Sequence, residues 1–182
     1  MRVVAGSLRG RRLQAPEVAA TRPTSDRVRE AMFNALASLD GVTDAVVLDL
    51  FAGSGALGIE ALSRGAAHCT FVESARPALT ALRANLDGLG LRDRATVAPL
   101  DVQRFLASAP AADLVLADPP YSFDRWEGLM GGLDTGLLVT GLLVAESDRP
   151  VEPAPGWEVV RAKRYGTTHV TFMRRGERAT GR

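Results

Sequence analysis

Short apolar runs that do not alternate with polar residues constrain the fold of this chain more than any other feature. Each run has four or five residues and is followed by a segment whose apolar side chains have helical spacing. Strands of this kind are buried on both faces, as a parallel sheet covered by helices requires. The runs are residues 46–50, 69–73, 95–98, 114–117 and 142–145. They predict an α/β fold with a doubly wound, mostly parallel sheet.

Apolar stripes at spacings of three and four residues indicate the helices between these runs. The first stripe extends from Val28 to Leu39, and Thr24 or Ser25 is placed to cap its helix. Further stripes predict helices at about 57–64, 75–89, 102–107 and 124–134. Right-handed crossovers through these helices would cover both faces of the sheet.

The two ends of the chain have a different pattern. Residues 157–165 and 168–174 flank Gly166-Thr167 and predict an antiparallel C-terminal hairpin. At the start, residues 2–5 and 11–14 flank a turn that contains two glycines. They predict a second hairpin, which projects from the body as an N-terminal extension.

Composition excludes several classes of protein. A chain of 182 residues can bury a core without disulfides or a structural metal. It has one cysteine, Cys69, and two histidines, His68 and His169, so neither an internal disulfide nor a zinc cluster is expected. No apolar stretch reaches the roughly 18 residues of a membrane span, and the first residues lack the apolar run of an export signal. We expect no metal, no membrane association and a cytoplasmic location.

Charge is distributed unevenly along the chain. Residues 1–30 carry seven arginines and three acidic residues, and residues 157–182 carry seven basic and two acidic residues. Because the net charge of the whole chain is only +1, the middle must be acidic. Basic ends on an acidic body predict binding to an anionic polymer; the alternative is a surface of solvated arginines.

A glycine-rich turn follows the first apolar run, between Asp49 and Gly58. Glycines at a strand-to-helix turn let a ligand lie against the backbone at the helix N-terminus. Glu73 ends the second run, where a carboxylate can hold two ribose hydroxyls. These features suit NAD and S-adenosylmethionine alike, but Asp49 favours the latter, since a carboxylate suits a cation better than a pyrophosphate. Asp101 is placed either to accept from an adenine amine or to cap the next helix.

The fourth run ends in Asp118-Pro119-Pro120-Tyr121. Proline has no N–H, so the carbonyls of this segment face a ligand as acceptors only. Asp118 and the Pro119 carbonyl can accept the two hydrogens of an exocyclic amine, while Tyr121 stacks on the base. This would aim the nitrogen lone pair at a methyl group, so that orientation and electrostatics promote direct transfer. The alternative is a Pro-Pro turn without a ligand.

The glycine-rich turn and the Asp118 to Tyr121 segment resemble class I S-adenosylmethionine-dependent methyltransferases that act on exocyclic amines of bases. Residues 2–13, 22–30 and 33–34 closely match one branch, the RsmD-type 16S ribosomal RNA (guanine-N2)-methyltransferases. The resemblance covers essentially the whole chain. It implies a seven-stranded sheet, an N-terminal hairpin that helps to hold RNA, and a guanine of small-subunit ribosomal RNA as substrate, met on an assembling 30S particle.

The resemblance also implies a division of the chain and a set of site residues. Residues 1–22 would form the basic hairpin extension, and residues 23–182 the methyltransferase domain of a monomer. S-adenosylmethionine, which leaves as S-adenosylhomocysteine, would be surrounded by Arg22, Thr24, Asp49, Phe51, Gly53, Gly55, Gly58, Glu73 and Asp101. The guanine would be held by the catalytic residues Asp118, Pro119, Pro120 and Tyr121.

The basic ends supply candidate contacts to RNA phosphates, a charge-assisted interaction that arginine and lysine favour. The candidates are Arg2, Arg9, Arg11, Arg12, Arg161, Lys163 and Arg164.

Other functions remain compatible with these motifs. An N6-adenine methyltransferase on DNA or RNA would use the same Asp118 to Tyr121 segment, and methylation of a protein glutamine would leave the basic ends without a role. A nonenzymatic RNA-binding assembly factor would not need an intact Asp118. An NAD-dependent oxidoreductase would leave the whole segment unexplained.

Overall fold

A computed structural model describes residues 1–16, 25–134 and 139–176 of the chain. The described residues contain seven strands, all in one sheet. The strands are β1 (Val46–Leu50), β2 (His68–Val72), β3 (Ala95–Ala98), β4 (Ala112–Ala117), β5 (Val139–Ser147), β6 (Trp157–Tyr165) and β7 (Thr168–Arg175).

The described residues also contain five α-helices and one 3₁₀ turn, of which the first helix precedes the sheet and the others lie between strands. The helices are α1 (Asp26–Ala37), α2 (Ala56–Ser63), α3 (Arg76–Leu89), α4 (Val102–Leu106) and α5 (Trp126–Asp134), and the 3₁₀ turn is Arg92–Arg94. Ser25 caps α1, because its side chain accepts a hydrogen bond from the Val28 N–H at 3.2 Å. Thr24, the other predicted cap, lies outside the described residues. No helix in the described parts of the chain is both long and apolar enough to cross a membrane.

The strand order is β3-β2-β1-β4-β5-β7-β6. The first five strands pair in parallel, whereas β7 is antiparallel to both β5 and β6. The predicted doubly wound sheet and its antiparallel C-terminal hairpin are therefore confirmed. Strand β5 is longer than its apolar run, since pairing with β7 continues to Ser147.

Apolar side chains cover the sheet on both faces. One core cluster contains the inward faces of α1, α2 and α3, with large side chains such as Phe33, Leu62 and Leu82. The other contains α4 and α5, with Trp126 and Leu129. Helices on both faces explain why the central strands read as continuous apolar runs.

The N-terminal segment, residues 1–16, forms a reduced hairpin. One antiparallel bridge joins Arg2 and Arg12, and Val3 and Leu13 beside them are buried in the α1–α3 core cluster. The predicted N-terminal hairpin is therefore confirmed, but it packs against the domain and does not project from it. Val3 and Leu13 each follow an arginine in the sequence, and their burial holds the segment against the domain.

Hydrogen bonds fix the same segment to α2. The fully buried Glu60 carboxylate accepts the N–H groups of Val4 at 2.8 Å and Ala5 at 3.0 Å. Further along α2, the Ser63 hydroxyl accepts the Leu8 N–H at 3.0 Å. The predicted boundary between residues 22 and 23 falls outside the described residues, and the division into two domains stays a prediction.

Candidate active site

The candidate site lies at the carboxyl ends of the parallel strands, between β1 and β4. These strands are neighbours, but the chain continues from β1 to β2 on one side and from β4 to β5 on the other. The loops that leave them diverge and open a crevice, which is the customary ligand position in such sheets. The position between β1 and β4, where the connections diverge, is the topological switch point of the sheet. The glycine-rich turn after β1 and the Asp118 to Tyr121 segment after β4 face each other across it.

The glycine-rich turn has an unusual backbone at three positions. Phe51, Gly53 and Gly55 have positive φ angles of 64°, 57° and 84°. The Gly55 N–H donates to the Ala52 carbonyl at 2.7 Å, which closes a tight turn just before α2. A Cβ atom at Gly53 would meet no other atom within 4 Å, so this glycine leaves the backbone open to a ligand.

The other two predicted glycines face the protein interior. A Cβ at Gly55 would lie 2.5 Å from Cδ1 of Leu82, and a Cβ at Gly58 would lie 2.3 Å from Cε1 of Phe71. Gly58 thus lets α2 pack closely on β2. That packing explains its lack of a side chain, while a backbone contact of either glycine to the methyl donor stays a prediction.

Asp49 lies beneath the glycine-rich turn. Its side chain is 1% exposed, and Oδ2 accepts the Gly58 N–H at 2.9 Å. The pKa of Asp49 is raised from 3.8 to about 7: burial is the largest cause, the nearby charges of Asp118 and Glu73 act in the same direction, and the Gly58 hydrogen bond opposes them. Three carboxyl groups therefore converge on the crevice, and the charges of Asp118 and Glu73 give it a negative potential.

Glu73 follows β2 and organises the loops around it. Its Oε2 accepts the Gly53 N–H at 2.9 Å, and its Oε1 accepts the N–H groups of Ser74 and Ala75 at 2.8 and 2.7 Å. The carboxylate is half-buried. It therefore holds the glycine-rich turn in place as well as lying beside the predicted ribose position.

Asp101 follows β3 and caps α4. Its Oδ1 accepts the Gln103 N–H at 2.9 Å, which confirms the helix-cap interpretation. The carboxylate is exposed, and its contact to an adenine amine stays a prediction.

The segment from Asp118 to Tyr121 lines the other side of the crevice. Asp118 continues the alternation of Leu114 and Leu116, so it lies on the same face of the sheet as Asp49. The Pro120 carbonyl accepts the Phe123 N–H at 2.8 Å, which closes a turn. Tyr121 is 41% exposed at that turn and is open to a stacking partner.

A row of three aromatic rings, which the sequence motifs do not predict, connects the two sides of the crevice. Phe51 and Phe123 meet edge to face with ring centroids 5.2 Å apart, and Phe123 meets Trp126 in the same way at 5.2 Å. The Phe123 carbonyl also accepts a hydrogen bond from Arg149 at 3.1 Å. This row of rings and the Arg149 hydrogen bond fix the loop that contains Tyr121. The signal in the sequence was a second aromatic residue two positions after Tyr121.

Two of the predicted donor-binding residues, Arg22 and Thr24, lie outside the described residues. Asn85 on α3, a polar residue that the sequence motifs do not include, contacts both the N-terminal segment and the glycine-rich turn. Its signal was an asparagine within an apolar stripe, between Leu82 and Leu86.

The predicted RNA-binding residues form two separate groups. In the first group, Arg2 lies 3.5 Å from Asp26 at the start of α1, and Arg11 donates to the Gly88 carbonyl at 2.8 Å. Exposed Arg9 and Arg12 belong to the same segment. This group therefore extends from the start of α1 to the end of α3.

The second group lies on β6, at the far edge of the sheet. Arg161 donates to the Ser38 hydroxyl at 3.2 Å, and Lys163 is exposed. Arg164 pairs in register with His169, which pairs with Ser147 at the carboxyl end of β5. The end of this group thus reaches the edge of the sheet that holds Asp118.

A cavity of about 440 Å³ lies at the opposite, amino-terminal edge of the sheet. Its lining includes Asp40, Asp113, Gly141 and Arg174. It is separate from the crevice, and no predicted site residue within the described ranges lines it.

Comparison with known proteins gives consistent results. A family model described as Conserved hypothetical protein 95 matches residues 1–174. Ribosomal RNA small subunit methyltransferase D of Escherichia coli (strain K12) is 39% identical over 173 residues, which are 91% of this chain and 85% of the relative. The Bacillus subtilis protein YlbH is 40% identical over 96% of this chain and 99% of its own.

Among solved structures, the Escherichia coli protein yhhF has a TM-score of 0.85 at 36% identity, covering 96% of this chain and 97% of its own. Because the family model spans almost the whole chain, and relatives at 39 and 40% identity cover more than nine-tenths of it, the chain belongs to the Conserved hypothetical protein 95 family, the RsmD family that its sequence resembles.

Proposed function

We propose that this protein transfers a methyl group from S-adenosylmethionine to the N2 amine of a guanine in 16S ribosomal RNA. The observation that carries the proposal is the convergence of Asp49, Glu73 and Asp118 at the switch point of the sheet. Relatives from Escherichia coli and Haemophilus influenzae that are named Ribosomal RNA small subunit methyltransferase D support ribosomal RNA as the substrate class.

The residues of the crevice fit a cationic donor. When bound, S-adenosylmethionine supplies an electrophilic methyl group on a positively charged sulfur. The charges of Asp118 and Glu73 add to the burial that raises the pKa of Asp49, and a cation between the loops relieves the repulsion among these carboxyl groups. The open backbone at Gly53 and the Glu73 carboxylate beside it provide room and an acceptor for the nucleoside. An anionic pyrophosphate would add to the repulsion, which argues against NAD.

The residues after β4 suit an aromatic amine. Asp118 and the Pro119 carbonyl accept its two hydrogens. The Pro120 carbonyl is not assigned this role, because it already accepts the Phe123 N–H. The exposed ring of Tyr121 stacks on the base, and the rigid prolines keep both acceptors in place. Alignment of the amine lone pair with the methyl group then lowers the barrier through orientation, without a covalent enzyme intermediate.

Two separate groups of basic residues suit a folded RNA larger than one nucleotide. The arginines of residues 1–16 lie on a segment that is bonded to α2 and α3, and Lys163 and Arg164 lie near the end of the edge strand β6. We propose that the substrate is the small ribosomal subunit or its assembly intermediate, which the protein meets as a monomer in the cytoplasm.

The test is methylation of purified small ribosomal subunits, and of naked 16S ribosomal RNA, with labelled S-adenosylmethionine. Mass spectrometry then maps the labelled nucleotide. Label on a guanine N2 supports the proposal, whereas label on an adenine N6 identifies the alternative amine. Binding of donor and RNA without label transfer would identify a nonenzymatic assembly factor. Calorimetry that showed tighter binding of NAD than of S-adenosylhomocysteine would overturn the cofactor.

A further inference from the structure

Asn85 connects two parts of the chain that the proposed function assigns to different ligands. It lies on α3, and its side chain is 4% exposed. Its Nδ2 donates to the Gln14 carbonyl at 3.0 Å and to the Ser54 carbonyl at 2.9 Å, while its Oδ1 accepts the Gln14 N–H at 2.7 Å. Gln14 belongs to the N-terminal segment, and Ser54 lies between the two glycines of the turn at the donor site.

The amide group is chemically suited to this double contact. Both hydrogens of Nδ2 are used, one for each partner, and Oδ1 completes a two-bond pairing with the Gln14 backbone. An aspartate has no hydrogen to donate, so it could keep only the bond from the Gln14 N–H. The buried position excludes water as a ready substitute for either lost bond.

Other anchors of the N-terminal segment lie elsewhere on the domain. Glu60 and Ser63 hold residues 4–8 against the body of α2, and Arg11 reaches the end of α3. These contacts attach the segment without involving the turn between Gly53 and Gly55. Asn85, by contrast, connects the segment directly to the glycine-rich turn.

We infer that Asn85 is a positioning residue that couples methyl-donor binding to RNA binding. This inference rests on the proposed function, in which residues 1–16 contact RNA and the glycine-rich turn contacts the donor. A donor in the crevice restrains the turn and its Ser54 carbonyl. Asn85 passes this restraint to Gln14, so the arginine-bearing segment is held in place for RNA. Coupling of this kind is reciprocal, because each ligand changes the affinity of the other by the same factor.

The experiment measures RNA affinity of the full chain with and without saturating S-adenosylhomocysteine. A 16S ribosomal RNA fragment that the protein binds serves as the probe. In the wild-type protein we expect S-adenosylhomocysteine to tighten RNA binding by a factor of about 5 or more, the lower end of typical coupling. In Asn85→Asp and Asn85→Ala we expect that factor to fall toward one.

A control variant separates coupling from structural damage. Ser63→Ala removes an anchor of the same segment but not the link to the turn. It should weaken RNA binding with and without S-adenosylhomocysteine alike and so preserve the factor. Thermal unfolding identifies variants that fail to fold, and Asn85→Asp, which keeps the size and one bond of asparagine, provides the test if Asn85→Ala does not fold.

The outcomes distinguish the two proposals. Wild-type protein that binds both ligands without mutual effect would overturn the coupling and leave the proposed function standing. An unchanged factor in a folded Asn85 variant would do the same. Wild-type protein that binds neither S-adenosylhomocysteine nor RNA would overturn the proposed function itself, and the coupling with it.

Discussion

At the scale of single residues, two aspartates of the crevice have the same side chain but different environments. Asp49 is enclosed beneath the glycine-rich turn and bonded to the Gly58 N–H. Asp118 is half-buried at the end of β4 and reaches the ligand side of the crevice. Asp49 therefore supports the turn, whereas Asp118 is the residue that we propose contacts the reacting amine.

Replacing Asp118 tests that assignment. In Asp118→Ala we expect methyl transfer to slow by roughly 10²- to 10³-fold, comparable to the loss of one preorganised hydrogen-bond partner of a transition state. S-adenosylhomocysteine affinity and thermal stability should stay close to wild type. Single-turnover methylation gives the rate, and Asp93→Ala, an exposed aspartate in the 3₁₀ turn, is the control. A rate near wild type for Asp118→Ala would eliminate capture of the amine by this carboxylate.

Tyr121 offers a test of stacking against hydrogen bonding. The ring face is proposed to act, so Tyr121→Ala should weaken RNA substrate binding by about 1 to 3 kcal/mol, while Tyr121→Phe should lose far less. Binding of a short RNA that contains the target base, measured for both variants, separates the two. Equal losses in the two variants would assign the role to the hydroxyl.

The raised pKa of Asp49 predicts a specific pH dependence of stability. Its pKa is about 7 in the folded protein and 3.8 for an ordinary aspartate. Between these values the folded state holds a proton that the unfolded chain has lost, so the contribution of Asp49 to stability falls as pH rises from about 4 to about 7. Above that interval both states are ionised, and the contribution becomes constant.

Asp49→Asn keeps an oxygen acceptor for the Gly58 N–H but does not ionise. We therefore expect the variant to gain stability relative to the wild-type protein as pH rises from about 4 to about 7. Urea unfolding of both proteins at several pH values measures the difference. Parallel curves would show that Asp49 does not titrate in this interval.

At the scale of elements, the strands and helices could be predicted because each obeys one strong pattern. The continuous apolar run at β1 and the apolar stripe of α3 report burial directly. Asn85 could not be assigned in this way, since its partners Gln14 and Ser54 are 71 and 31 residues away in sequence. A one-dimensional pattern shows that a residue is buried, but not which distant backbone it contacts.

The packing of α2 on β2 depends on one glycine. In Gly58→Ala the new methyl group would lie 2.3 Å from the Phe71 ring and 2.6 Å from the Cys69 sulfur. Such overpacking typically costs about 1 to 3 kcal/mol. The matched control is Gly88→Ala in α3, where a Cβ meets nothing within 4 Å and helix propensity should add up to about 1 kcal/mol. Urea unfolding measures both, and similar stabilities would contradict close packing at Gly58.

At the scale of the whole molecule, the positive charge of the two chain ends could be predicted from the sequence more readily than their position on the domain. The basic ends were evident, but the burial of Val3 and Leu13 was not, although each follows an arginine at an alternating position. Deleting the N-terminal segment would therefore remove part of the core as well as its charge. Individual charge substitutions are the appropriate test of RNA binding.

Two double variants test whether both basic groups contact RNA. Arg9→Gln with Arg12→Gln removes two charges from the N-terminal segment, and Lys163→Gln with Arg164→Gln removes two from the end of β6. Each phosphate contact on a single strand contributes about 0.7 to the slope of log affinity against log salt, so each pair should reduce that slope by about 1.4. Arg104→Gln, on the opposite layer in α4, should leave it unchanged. RNA titrations over a range of salt concentrations measure the slopes, and an unchanged slope in either double variant would show that its arginines and lysine are solvated surface charges.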